Sequence, residues 1–270
     1  MAADNPAVDD TNTGSVAVGH RFADALREEG LSVIAEIKRR SPSRGALRAD
    51  ADAADLASEY KSGGAACLSV LTERERFGGS PEDLQAAKAV TGLPVLRKDF
   101  LRTLDDVRDS HEMGADAMLV ILADIDPARL PPMQELALSL GVDVLTEVRD
   151  EAEFEAAIDL GAYMIAINQR DNPESTKFTV DYEKAVRVSR YFDRFTRIDR
   201  EILVVAASGI GVQGGTPMSA IAQAGYDAAL VGEALVVADD PPALLRELLT
   251  NAECDQPTPA STGGEGVGHD

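Results

Sequence analysis

The feature that most limits the fold is an alternation of two kinds of segment. Eight short apolar runs recur along the chain, at 31–38, 65–71, 94–98, 116–122, 142–147, 163–168, 201–206 and 227–232. Each has strand length and is rich in Val, Ile, Leu or Ala, as expected of strands buried on both faces. Amphipathic segments separate them, at 52–62, 81–90, 103–113, 127–140, 150–160, 180–190, 214–224 and 240–250. Punctuation agrees with this division. Ser80-Pro81-Glu82-Asp83 offers a cap, a proline for the first turn and acids for the positive helix end. Asp126-Pro127 and Asp240-Pro241 repeat the device, while Gly114, Gly141, Gly161 and Gly225 fall where helices need left-handed ends. Strictly alternating strands and helices imply a parallel sheet. Eight units favour closure over an open doubly wound sheet, whose early Gly-x-Gly-x-x-Gly turn does not follow the first run.

The expected architecture is therefore a single (β/α)8 TIM barrel with an extra N-terminal helix near 16–29. The 270 residues suffice for one such domain. Residues 1–13 and 251–270 are polar and lack periodicity, so they are read as disordered tails flanking a catalytic domain at 14–250.

Charge constrains function. The formal net charge is −21, and six lysines leave 20 arginines among 26 basic residues. Acidic surfaces poor in Lys suit a protein that works in concentrated salt, where screening relieves self-repulsion. A halophilic archaeal source is the expectation. Such a surface repels phosphates, which argues against nucleic-acid partners. Cys67 lies in an apolar run and Cys254 in a polar tail, so no disulfide is expected. No apolar stretch has membrane-spanning length, and the N-terminus lacks a signal-peptide pattern. The chain reads as cytoplasmic and soluble; the sequence does not set its assembly, and a monomer is expected.

Barrel strands should be apolar, yet several end on polar residues: Glu36 and Lys38 on the first, Lys98 on the third, Glu147 on the fifth and Asn168 on the sixth. All are at C-terminal strand ends, the face that carries active sites in this fold. Side chains two apart share a strand face, so Ile34, Glu36 and Lys38 form one row, and Lys98 shares a row with Leu96 and Glu147 with Leu145. Rim ion pairs would explain one such pair. Five polar ends on one face point to acid–base chemistry, because burial and neighbouring charges separate pKa values.

A second constellation suits phosphate. Ala206-Ala207-Ser208-Gly209-Ile210-Gly211 follows the seventh strand, and Val231-Gly232-Glu233-Ala234 follows the eighth. Glycines let backbone N–H groups approach an anion, and barrels commonly hold phosphate here. Glu233 is awkward beside a dianion, so its side chain should turn away. His20, His111 and His269 avoid strand ends, which leaves no parts for a metal site or a His-based triad. Phe77 and Phe100 follow strands two and three and either line an aromatic-ring pocket or pack under loops. Ser41-Pro42-Ser43-Arg44-Gly45 reads as a lid or an ordinary turn, and Arg170 as an anion contact or a solvated charge.

Taken together, these residues resemble indole-3-glycerol phosphate synthases. The likeness runs through Ile34-Ala35-Glu36-Ile37-Lys38-Arg39-Arg40-Ser41-Pro42-Ser43, Leu68-Ser69-Val70-Leu71-Thr72-Glu73, Phe77-Gly78-Gly79-Ser80 and Leu96-Arg97-Lys98-Asp99-Phe100. It continues through Leu145-Thr146-Glu147-Val148, Ile167-Asn168-Gln169-Arg170-Asp171, Ala207-Ser208-Gly209-Ile210 and Leu230-Val231-Gly232-Glu233-Ala234-Leu235. The resemblance implies closure of a carboxyphenylamino-deoxyribulose phosphate onto its own ring, with loss of carbon dioxide and water and with no cofactor or metal. It further implies Lys98 as acid, Glu147 as base, Lys38 as anion holder and proton-transfer aid, and Glu36 as their orienter. Asn168 would bind a hydroxyl. Ser208, Gly209, Gly232 and Glu233 would bind phosphate, while Phe77, Phe100 and Leu119 would enclose the anthranilate ring, with Ser41 and Arg170 as further substrate contacts. One position departs: the family pattern has Glu-Ser-Gly-Ile where this chain has Ala207 before Ser208. The alternatives are phosphoribosylanthranilate isomerase, whose Cys base is replaced here by Lys38-Arg39-Arg40, and a phosphosugar-binding barrel without catalysis.

Overall fold

A computed structural model describes residues 20–42, 44–170, 179–192 and 202–253. The tail expected at 1–13 lies outside these residues, as do Ser43, Asp171, Cys254 and His269. All eight apolar runs are strands: β1 (Ser32–Ile37), β2 (Cys67–Leu71), β3 (Val95–Lys98), β4 (Ala117–Ile121), β5 (Asp143–Val148), β6 (Met164–Asn168), β7 (Leu203–Ala207) and β8 (Ala228–Val231). Each pairs in parallel with its neighbours in the chain, and β8 returns to β1 with Leu230 opposite Ile34, closing the barrel. Inward rows contribute Ile34, Cys67, Leu96, Leu119, Leu145, Met164, Val205 and Leu230 to an interior core. Outward rows, such as Val33, Ala35 and Ile37 of β1, pack on the helices. With both faces buried, the strands show no alternation in sequence.

The helices are α1 (Arg21–Leu26), α2 (Ala53–Gly63), α3 (Arg74–Phe77), α4 (Pro81–Thr91), α5 (Leu104–Met113), α6 (Leu130–Ser139), α7 (Glu151–Asp159), α8 (Lys184–Ser189), α9 (Met218–Gln223), α10 (Glu233–Val236) and α11 (Pro241–Glu253). The expected caps form: the Ser80 side chain accepts from Asp83 N at 3.2 Å, Asp126 from Ala128 N at 3.1 Å and Asp240 from Ala243 N at 2.9 Å.

Several boundaries differ from expectation for local reasons. The helix foreseen at 127–140 is a 3-10 turn, Pro127–Arg129, followed by α6, because Pro131 and Pro132 fit only a first helical turn. The segment foreseen at 180–190 is helical only from Lys184, since Val180 bridges to Arg170. The one foreseen at 214–224 begins at Met218, because Thr216 N closes a loop onto Gly209 O at 3.1 Å. The C-terminal tail expected from 251 is helical through Glu253.

The extra N-terminal helix is shorter than 16–29, spanning only Arg21–Leu26 among the described residues. Its Phe22, Ala23 and Leu26 join the interior core and close the bottom of the barrel. Burying Phe22 and Leu26 contributes about 4 kcal/mol. Fully buried Asp143 at the start of β5 fixes the plug. It accepts from Ala23 N, His20 Nδ1 and Tyr163 Oη, each at 2.9 Å.

Candidate active site

At the opposite, C-terminal mouth, the polar strand ends meet. Lys38 Nζ donates to Glu36 Oε1 at 2.6 Å. Lys98 Nζ lies 3.9 Å from Glu36 Oε2 and 3.7 Å from Glu147 Oε2. Asn168 Nδ2 donates to Glu147 Oε1 at 2.7 Å, while Asn168 Oδ1 accepts from Ser208 Oγ at 2.8 Å and from Arg170 N at 3.0 Å. One polar chain thus runs from β1 around the mouth to the loop after β7. Register explains how distant residues meet: Ile121 of β4 stands opposite Glu147, and Asn168 opposite Ala207. Side-chain parity aims them all inward.

The charges oppose their own burial. Burial works to raise the Glu36 carboxyl, but Lys38 and Lys98 outweigh it and hold the group below its ordinary value. Burial works to lower the Lys98 ammonium, but Glu147 and Glu36 outweigh it and hold the group above its ordinary value. Lys98 therefore keeps its proton at neutral pH, in a site where a charge–charge interaction is worth more than in water.

Gly232 shows how tightly the backbone closes on this pair. A Cβ there would fall 2.3 Å from Glu36 Oε1 and 2.8 Å from Lys38 Nζ. Next to it, the Glu233 carboxylate turns to Arg44 Nε at 3.1 Å, which offsets its charge. Across the mouth, Ser208 is in the left-handed backbone region at φ 71°, uncommon for a residue with a side chain, and Gly209 follows at φ 71°.

These groups line a cavity of about 280 Å³. Glu36, Lys38, Ser41, Phe77, Lys98, Phe100, Glu147, Asn168, Arg170, Ser208, Gly209, Gly232 and Glu233 all face it. Leu119 does not. It is 2% exposed within the barrel, one inward position below Ile121, which takes the expected place on the wall. Leu119, implied only by the resemblance, points inward as Ile121 does but lies one layer deeper in β4. In the Ser41 segment Arg40 pairs antiparallel with Ala46, and Ser41 with Gly45. Ala207 faces the cavity with no carboxylate to offer. Phe77 and Phe100 lie 6.3 Å apart, and the Arg76 guanidinium covers the Phe100 ring at 3.9 Å.

Several lining residues escaped the sequence reading: Leu71, Arg76, Ile121, Asp124, Arg149, Val180, Tyr182 and Val212. Leu71 and Ile121 were findable, being the last inward positions of their strands. Arg149 is held by Glu153, donating Nε at 2.9 Å to Oε1. Among the described residues, no group of three or more His, Cys, Asp or Glu is arranged to hold a metal ion, and no helix is long and apolar enough to cross a membrane.

Comparison with known proteins shows the family. A family model described as indole-3-glycerol phosphate synthase covers residues 5–248. The indole-3-glycerol phosphate synthase of Streptomyces griseus is 44% identical over 83% of this chain and 80% of its own length. Indole-3-glycerol phosphate synthase 1 of Streptomyces coelicolor is 42% identical over 85% of this chain and 81% of its own length. The enzyme of that name from Mycolicibacterium smegmatis is 41% identical over 86% and 83%. These sources give no support to the halophilic archaeal origin expected from the charge.

Proposed function

The chain belongs to the indole-3-glycerol phosphate synthase family, and from that premise we propose how its residues divide the work. The reaction converts 1-(2-carboxyphenylamino)-1-deoxyribulose 5-phosphate into indole-3-glycerol phosphate, carbon dioxide and water, a lyase step of tryptophan biosynthesis. Neither the isomerase nor the non-catalytic reading is favoured by these relatives.

The observation that carries the assignment is Lys98 Nζ, 3.7 Å from Glu147 and 3.9 Å from Glu36 in the inner wall of the cavity. Lys98 is the acid. Its retained proton goes to the ribulose carbonyl oxygen as the ring carbon attacks, and a positioned acid of this kind gives about 10²–10⁴-fold acceleration. Carboxylate loss then restores the aromatic ring. Glu147, oriented by Asn168, accepts the proton removed during dehydration and returns it to the departing hydroxyl, which leaves as water. Lys38, clamped by Glu36, holds the substrate carboxylate or phosphate and assists proton transfer, and Asn168 binds a hydroxyl. Ser208, Gly209, Gly232 and Glu233 cradle the phosphate, mainly by backbone N–H groups, with Arg44 drawing the Glu233 charge aside. Phe77 and Phe100 enclose the ring, with Ile121 in the role first given to Leu119, and Ser41 and Arg170 complete the substrate contacts.

The substrate supplies every group that leaves and the side chains supply the protons, so the scheme uses no cofactor. We further place the enzyme in the cytoplasm, acting as a monomer without nucleic-acid or membrane partners. The charge of −21 supports the nucleic-acid part of that reading and an adaptation to salt.

Lys98→Ala tests the central role. Turnover is expected to fall about a thousandfold while substrate binding stays measurable by titration. Turnover within a few-fold of the parent would remove Lys98 as the acid.

A further inference from the structure

We propose that Gln169 and Thr216 are positioning residues that hold the Ser208–Gly209 loop in its anion-binding shape, an inference that rests on the phosphate reading of that loop. Gln169 follows Asn168, yet its side chain takes no part in the cavity. It is fully buried, as Thr216 is to 3% exposure. Gln169 Nε2 donates to Ser208 O at 2.7 Å and to Thr216 Oγ1 at 3.0 Å. Gln169 Oε1 accepts from Ala185 N at 3.3 Å, and Thr216 Oγ1 donates to Tyr182 O at 2.7 Å. The amide cannot be turned around: Ser208 O only accepts and Ala185 N only donates, so nitrogen must face the first and oxygen the second.

Three chain segments converge on this amide: the end of β6, the stretch 182–185 leading into α8, and the loop 208–216. The backbone repeats the link, with Gln169 N donating to Ala207 O at 2.9 Å and Thr216 N to Gly209 O at 3.1 Å. The clamp explains a conformation that local preference opposes. Ser208 has φ 71°, which its side chain disfavours, and a Cβ on Gly209 would fall 2.5 Å from the Tyr182 ring. A strained turn persists only where its surroundings over-determine it, and here the Gln169 amide takes the Ser208 carbonyl. With the Ser208 and Gly209 carbonyls both held inside the protein, the turn keeps the shape in which Ser208 and Gly209 line the cavity.

The test is a comparison of Gln169→Glu and Thr216→Val with the parent enzyme. Both are nearly isosteric; the first puts an acceptor against Ser208 O, and the second deletes the bridging hydroxyl. Each is read by kcat, KM for the phosphosugar, inhibition by inorganic phosphate, and thermal unfolding. Gln169→Glu is expected to raise KM and the phosphate inhibition constant together by about tenfold, with a smaller loss in kcat. Thr216→Val is expected to move both in the same direction by about threefold, and the double variant to be no worse than Gln169→Glu alone. Folded variants with parental KM and phosphate inhibition would overturn the proposal. So would a loss confined to kcat, or one matched by equal losses toward a ligand lacking phosphate. If Gln169→Glu does not fold, Thr216→Val decides alone. Should inorganic phosphate fail to compete with substrate on the parent enzyme, the phosphate reading itself fails, a result distinct from parental behaviour in the variants.

Discussion

At the residue scale, the site depends on a carboxylate shared between two ammonium groups. Glu36 accepts from Lys38 with one oxygen and faces Lys98 with the other, and the two ammonium groups offset the cost of burying its charge. Gly232 makes room for this arrangement. Its φ of −121° is not left-handed, so what Gly232→Ala chiefly meets is the clash of the new Cβ with Glu36 and Lys38. Turnover is expected to fall by at least about tenfold, with stability changed by less than about 1 kcal/mol, measured by kinetics and urea unfolding on one preparation. The pH dependence follows from the two held charges. Lys98 is raised in the fold, so its stabilisation is complete below its ordinary value near 10.5 and is lost as pH rises through the folded value. Glu36 is lowered, so its stabilisation is present above its ordinary value near 4.5 and is lost as pH falls through the folded value. Thermal unfolding across pH should therefore show an alkaline decline that Lys98→Met reduces. An unchanged alkaline limb in that variant would contradict the held proton. The polar strand ends were legible because a charge in an apolar run is conspicuous. Leu119 came from the resemblance alone, and no local pattern in the sequence says how deep in the barrel a strand residue lies.

At the element scale, the strands were readable because burial on both faces writes them as continuous apolar runs. Helix starts marked by a cap and a proline were equally plain. Elements shaped by distant contacts were not: the start of α9 depends on a loop closed onto Gly209, and that of α8 on the bridge between Val180 and Arg170. The pairing of Arg40 and Ser41 with Ala46 and Gly45, too short for any periodicity, left no pattern to read. α1 depends most on tertiary structure. Six residues are too few to be helical alone, so the plug exists because Phe22 and Leu26 are buried and Asp143 holds Ala23 N. Asp143→Ala removes both acceptor oxygens and orphans up to three donors. We expect a loss of about 3 kcal/mol in urea unfolding and faster hydrogen exchange in α1, with kcat little changed because the mouth lies at the other end. A stability loss below about 0.5 kcal/mol would show that α1 docks without this anchor.

At the scale of the whole molecule, the barrel separates stability from chemistry. The bottom is sealed by α1, while the mouth gathers its charges from strands far apart in sequence. A net charge of −21 repels itself, and the Debye length shortens from about 10 Å at 0.1 M to about 3 Å at 1 M ionic strength. The melting temperature is accordingly expected to rise with potassium chloride, and a flat or falling trend would remove the salt-adapted reading. Ala207 bears on the whole reaction. It leaves the polar ring one carboxylate short of the pattern implied by resemblance, while Lys98 and Glu147 remain in place. The most direct measurement is conversion of 1-(2-carboxyphenylamino)-1-deoxyribulose 5-phosphate by the purified chain, followed by the fluorescence of the indole product across a range of salt concentrations. The account predicts product from the parent protein and its near-absence with Lys98→Ala. Substrate that binds the parent protein yet yields no indole product at any salt concentration would contradict it.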